Sequence, residues 1–181
     1  MTTNLDTLRA QPLTLIGPAT QTLADGGSIS VWRKAMELAI RRSQTASFIA
    51  GLAERLGVKP NTIKGLSRAE RKDLDKRIAF QVKYLDKFAS DLRAGKLSPQ
   101  QAAARANLYS GATRGTFYAT RYPELKTVPG AGDTPCNGNC RCYLEQDGKK
   151  VYWRLTAAES CAGCVELANG SPYSVEGDDG E

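Results

Sequence analysis

The residues best suited to chemistry in this chain are five cysteines, all beyond residue 135, in two groups: Cys136-Asn-Gly-Asn-Cys140-Arg-Cys142 and Cys161-Ala-Gly-Cys164. Paired, short-spaced thiols suit a tetrahedral zinc site, whose four ligands sit at ~2.3 Å when they are sulfur. Gly138 and Gly163 supply the backbone freedom that the tight turns of such a site require. Cys161 and Cys164 have the usual two-residue spacing. Cys136 and Cys140 suit the opposite pair better than Cys140 and Cys142, because a Cys-x-Cys pair chelates in a stiffer ring. The expected ligands are therefore Cys136, Cys140, Cys161 and Cys164, with Cys142 an alternative to Cys136 or Cys140. Two other readings stand beside zinc. Disulfides with one thiol left over would need an oxidising compartment, and no export signal supports one. A redox Cys-x-x-Cys needs a βαβ context, which is not evident.

A centre of four thiolates is closed: it holds structure and leaves no position for water or substrate. Histidine is absent from the 181 residues. Imidazole-based serine or cysteine catalysis and His-ligated metal sites are thereby excluded. No enzymatic activity is expected.

The elements that must position the cysteines follow from turn signals and apolar period. Arg141–Gln146 and Val151–Leu155 are rich in Tyr, Val, Trp and Leu, and Asp147-Gly148 marks a turn, so the spacing predicts a β-hairpin whose open end brings both cysteine groups together. Upstream the pattern is helical. Ile29, Trp32, Met36, Ala39 and Ile40 share a face, continued by Phe48, Leu52 and Leu56, over 28–56. A second helix is expected from Ser67, with Glu70 in the capping-box position, to Gly95, striped by Leu74, Ile78, Leu85, Phe88 and Leu92. A third starts at Ser98, Pro99 and Gln101 and runs towards Phe117, ending before Pro123. Gly111 and Gly115 inside it imply a close helix–helix contact or a kink. Residues 126–135 hold two Pro and two Gly and read as a linker. Residues 1–27, with Pro12, Gly17, Pro18 and a closing Asp25-Gly26-Gly27, show no sustained period and read as an extended arm. The fold class expected is mainly α: a helical body of three or so long helices, then a small cysteine-rich α+β module with a β-hairpin. The expected division is an N-terminal arm over 1–27, a helical domain over 28–125 and a zinc-binding module with an acidic tail over 126–181.

Charge divides along the same line. Residues 1–125 carry 20 Lys and Arg against 10 Asp and Glu, whereas residues 126–181 carry 5 against 9, so a net charge of +6 hides a basic body and an acidic end. Basic helices suit an acidic surface, either nucleic acid or an acidic protein. Arg33, Arg41, Arg42, Arg71, Lys72, Arg77 and Lys83 lie off the apolar stripes and are the candidate contacts. The interleaved signs over 66–96 also fit ordinary solvated helix faces with i,i+4 pairs. No apolar stretch approaches the ~18–20 residues that span a bilayer, so no membrane association is expected, and the first residues show no secretory signal pattern.

The run Lys83-Tyr84-Leu85-Asp86-Lys87-Phe88-Ala89-Ser90-Asp91-Leu92-Arg93-Ala94-Gly95-Lys96-Leu97-Ser98, then Ala104-Arg105-Ala106-Asn107-Leu108-Tyr109 and Asn139-Cys140-Arg141-Cys142, resembles the minor head proteins of tailed phages, the head morphogenesis proteins of the Mu F type. The likeness covers roughly residues 28–175. That group often pairs a long helical region with Cys-x-x-Cys and Asn-Cys-Arg-Cys motifs. It commonly has His-Pro before Asn-Cys-Arg-Cys, where Cys136-Asn137-Gly138 stands here, and its Cys-x-x-Cys usually comes first rather than last. The resemblance implies a virion component made in the host cytoplasm, associated with portal or capsid proteins and supporting head assembly or DNA delivery, with packaged DNA as a further partner. The alternative is a zinc-ribbon-like nucleic-acid-binding protein. That reading calls for basic residues on the cysteine module, where Arg141, Lys149, Lys150 and Arg154 are few among acidic neighbours.

Overall fold

The computed structural model describes residues 5–136, 140–156 and 160–175. In chain order the elements are α1 (Leu5–Ala24), α2 (Ile29–Arg55), a 3-10 turn (Pro60–Thr62), α3 (Arg68–Val82), α4 (Leu85–Arg93), α5 (Pro99–Arg121), β1 (Tyr143–Asp147), β2 (Lys150–Arg154), α6 (Ala162–Asn169) and β3 (Tyr173–Ser174). The chain is mainly α, with a small three-stranded antiparallel sheet near its C-terminal end. Among the described residues no helix is long and apolar enough to cross a membrane.

Two helix starts are built as their sequences require. Ser67 and Glu70 form a reciprocal capping box at α3, and Ser98 and Gln101 form another at α5, each side chain bonding the other residue's backbone N–H. Satisfying two otherwise orphaned donors at once stabilises a helix start. Gly57 and Gly95, both at φ +64°, close α2 and α4 in the left-handed region that glycine adopts without strain.

The expected arm is instead a helix. Residues 5–24 form α1, which packs on α2 and α5 and places Ile16 and Leu23 in the core. Pro12, Gly17 and Pro18 lower its helix propensity, but burying Ile16, Thr20 and Leu23 at three- to four-residue spacing against two long helices overrides a weak local preference.

The single second helix is also corrected. It breaks at Lys83 and Tyr84 into α3 and α4. No glycine or proline marks the break. It lets α4 turn Leu85, Phe88, Ala89 and Leu92 inward, so that Phe88 meets Trp32 edge-on at 5.5 Å and stacks on Tyr109 at 6.2 Å.

Helices α2 and α5 form the spine, joined by small residues. A Cβ on Gly51 would lie 2.4 Å from the Phe117 carbonyl oxygen, so only glycine allows this approach. Buried Thr116 donates to the side-chain oxygen of buried Gln44, and Thr120 donates to the Thr116 carbonyl at 2.8 Å.

The stretch read as a linker is packed. Val128 is buried, Pro129 is fully enclosed, and Gly130 lies so close to α5 that a Cβ on Gly115 would sit 2.3 Å from its oxygen. Gly115 therefore serves a helix-to-loop contact, neither a kink nor a second helix. A second core cluster runs across the expected boundary at 125/126, from Ala50 on α2, Phe117 and Tyr118 on α5 and Tyr122 just after it to Leu144, Val151, Trp153 and the cysteines. The helical body and the cysteine-rich part share apolar surface. Residues 137–139, 157–159 and most of the acidic tail, 176–181, lie outside the described residues.

A candidate metal centre

The β-hairpin is the frame of the site. Tyr143 pairs with Arg154 at its open end and Asp147 with Lys150 at its tip, so the turn is Gly148-Lys149, one residue beyond the expected Asp147-Gly148, with Gly148 at φ +56°. Alternation puts Leu144, Val151 and Trp153 on the buried face. Beside β2 lies β3, registered by Lys150 with Ser174 and Val151 with Tyr173. Helix α6 is the helical part of the expected α+β module, and β3 adds a third strand to the expected hairpin. The Tyr173 hydroxyl donates to the Leu167 carbonyl at 2.7 Å and ties strand to helix.

Cys140 and Cys142 lead into β1 at the open end, and Cys161 and Cys164 begin α6. Cys161 is the N-cap of α6 and Cys164 lies in its first turn, so Cys-Ala-Gly-Cys wraps a helix N-terminus. Gly163 permits this, because a Cβ there would already meet Pro135 at 3.1 Å. Cys136 arrives from the packed 126–135 segment, with the Thr134 hydroxyl 3.2 Å from its sulfur. Arg114 on α5 reaches over and donates to the carbonyls of Cys140 at 3.4 Å and Cys142 at 3.3 Å.

All five cysteines are free thiols, and the structure brings them together. Cys164 lies at the centre: its sulfur is 3.5 Å from that of Cys136 and 3.7 Å from that of Cys140. A disulfide would be ~2.05 Å. The edge of a tetrahedron of sulfurs around zinc is ~3.8 Å at a bond length of ~2.3 Å. The sulfurs fall into two groups of three, Cys136 with Cys161 and Cys164, and Cys140 with Cys142 and Cys164, each within 4.8 Å of one another. The cluster can hold a metal ion, and its all-sulfur donor set fits soft or borderline ions such as zinc.

The thiols differ in acidity. Burial pushes Cys140 up to about 12, reinforced by the neighbouring Cys136 thiol and opposed by the Cys142 backbone N–H. Burial likewise raises Cys164, with the Cys161 and Cys136 side chains adding to it. Cys161 is lowered to about 7, first by the Cys164 backbone N–H, against the opposing cost of burial and with a lesser contribution from the Cys136 backbone N–H. This is the anion preference of a helix N-terminus acting on a thiol.

The candidate basic contacts are not one patch of equivalent charges. Arg33 pairs with Asp86 at 2.8 Å, Arg41 with Glu37 at 2.8 Å and Arg77 with Asp73 at 3.0 Å. The Lys83 ammonium sits over the rings of Phe80 and Tyr84, at 4.4 and 4.8 Å from their centres. Arg42, Arg71 and Lys72 are exposed and, among the described residues, make no ion pair. Comparison with known proteins leaves the chain to its own geometry: no protein-family model, curated protein or solved structure matches it.

Proposed function

We propose that the cysteine cluster is a structural zinc centre and that the chain is an assembly component of a tailed-phage head, a minor head protein working beside portal or capsid proteins. The observation that carries the zinc reading is the convergence on Cys164 of thiols 24 and 28 residues earlier in the chain, at separations close to a tetrahedral edge. Four of Cys136, Cys140, Cys142, Cys161 and Cys164 hold the ion, and Cys164 is among them because both groups of three contain it. A centre of four thiolates has no open position, which agrees with a role in structure and not in catalysis. It staples the start of α6 and the start of β1 to the loop that packs on α5. The head role is supported by the resemblance of the 83–98, 104–109 and 139–142 segments, and by exposed basic residues on α2 and α3.

Elemental analysis of the purified chain tests the metal: one zinc per chain is expected, and less than about half an equivalent of any metal would overturn it. Cys164→Ser should lose that zinc and unfold the sheet and α6 while leaving the helical body helical. The free energy of such a site, on the order of 10 kcal/mol, is largely folding free energy. The genomic neighbourhood tests the role. A portal gene directly upstream supports it, and a setting among transcription regulators would overturn it in favour of the nucleic-acid-binding alternative.

A further inference from the structure

The five sulfurs are one more than zinc can use, and their arrangement says what the surplus is suited to. Around zinc, four sulfurs lie ~3.8 Å from one another. Here the five do not make one such set. They make two triangles that share a corner, Cys136–Cys161–Cys164 and Cys140–Cys142–Cys164, each with its sulfurs within 4.8 Å of one another. A three-coordinate ion with bonds of ~2.3 Å needs a triangle of sulfurs ~4.0 Å on edge. Both triangles can meet that requirement with small adjustments, and a shared thiolate is an ordinary bridge between two soft ions.

We infer that the five cysteines form a two-centre pocket for soft monovalent ions such as Cu(I), with the Cys164 thiolate bridging a Cys136–Cys161 face and a Cys140–Cys142 face. The inference rests on the reading that this cluster binds metal and extends it to a second ion class and a second equivalent. Thiolates are the donors that favour Cu(I), whereas Cu(II) favours nitrogen and oxygen donors in a tetragonal array. The chain has no histidine, so the cluster presents sulfur without imidazole. Cys140, Cys142 and Cys164 are at most 3% exposed, which keeps water and oxygen from one face, while the half-buried Cys136 and Cys161 give ions a way in. Two monovalent ions on five thiolates leave a charge of −3. The Arg114 guanidinium over the Cys140 and Cys142 carbonyls and the N-terminus of α6 at Cys161 lie where they offset it. On binding, each thiol gives its proton to the buffer, and neither copper nor sulfur changes oxidation state.

The test is a titration of the reduced full-length chain with Cu(I) under anaerobic conditions, against a chromophoric Cu(I) chelator, beside a parallel titration with Zn(II). Two Cu(I) per chain, with the luminescence of a Cu(I)–thiolate cluster and a copper–copper vector in X-ray absorption, is expected where zinc binds once. Cys142→Ser removes a corner of one triangle and should cut Cu(I) from two equivalents to one. Cys136→Ser should make the same cut in Cu(I) through the other face. Far-UV circular dichroism shows that each variant is folded. A single Cu(I) in the unaltered chain, or two in both variants, overturns this inference while zinc binding stands. Failure to retain either metal overturns the zinc centre as well.

Discussion

Gly115→Ala asks whether the segment before the first cysteine is docked or free. A Cβ at residue 115 would lie 2.3 Å from the Gly130 oxygen, 2.6 Å from its carbonyl carbon and 2.8 Å from the Ala131 nitrogen, all backbone atoms that no rotamer change can move aside. Carbon-to-oxygen contacts are ordinarily ~3.3 Å or longer, so loop and helix must separate by about 1 Å. Overpacking of this kind costs ~1–3 kcal/mol, and a rigid backbone neighbour places it at the upper end. Replacing glycine in a helix interior returns ~1 kcal/mol. The balance is a loss of about 2 kcal/mol, or about 4–8 °C in Tm for a chain of this size. Gly17→Ala is the control: no atom lies within 4 Å of the added methyl group, and α1 continues through the position. The control should gain ~0.5–1 kcal/mol. Calorimetry on both variants, with the alkylation rate of Cys136 as a second readout, decides the matter. Cys136 should react faster in Gly115→Ala, because the lifted loop carries it. A Gly115→Ala protein as stable as the parent, with Cys136 unchanged, would refute the docked segment.

In the chain stripped of metal under conditions where circular dichroism shows the sheet and α6 still folded, Cys161 should be the first thiol alkylated, with half-maximal rate near pH 7, and Cys140 should stay inert through pH 9; mass-spectrometric mapping of iodoacetamide adducts reads both. The sign for stability follows. The lowered pKa of Cys161 contributes stability that is fully present above the ordinary thiol range near 9 and is lost as pH falls through about 7. If the basic helices meet DNA, Arg42→Ala, Arg71→Ala and Lys72→Ala should each reduce the slope of log K against log salt by ~0.9 in gel-shift titrations, with no preferred sequence. Arg41→Ala, whose guanidinium is engaged by Glu37, should change it less.

The parts of the fold legible in the sequence are those with local causes. Ser67 and Ser98 announce their helices because a capping box is a four-residue object, and the hairpin is marked by alternating β-formers around a turn. The parts that were not legible depend on partners distant in the chain. α1 was hidden by Pro12, Gly17 and Pro18, whose local cost is outweighed only when Ile16 and Leu23 find α2 and α5. The break at Lys83 and Tyr84 has no local signal, because its cause is the fit of Phe88 between Trp32 and Tyr109. The glycine and proline content of 126–135 signals irregular backbone correctly, but irregular backbone is not the same as free backbone. Gly115 and Gly130 show the difference, since each is glycine because the other is near.

At the site, spacing identified the five thiols and the hairpin that gathers them, but not the order among them. That order comes from α6, whose start makes Cys161 an N-cap and places Cys164 one turn in, between the two remaining groups. The Cys-x-x-Cys spacing alone assigns the two members equal parts, whereas the helix makes one half-exposed and acidic and the other buried and central. Arg114 shows the same limit from the other direction. As one arginine of a basic helix it suggests an acidic partner outside the molecule, yet its reach is taken up by the carbonyls of Cys140 and Cys142. The cysteine cluster is thus tied to α5 by Arg114, by the Gly115–Gly130 contact and by Phe117, Tyr118 and Tyr122. Metal bound at Cys164 would join these attachments into one body, so that a load applied to the helices reaches the sheet through covalent and coordinate bonds as well as apolar contact.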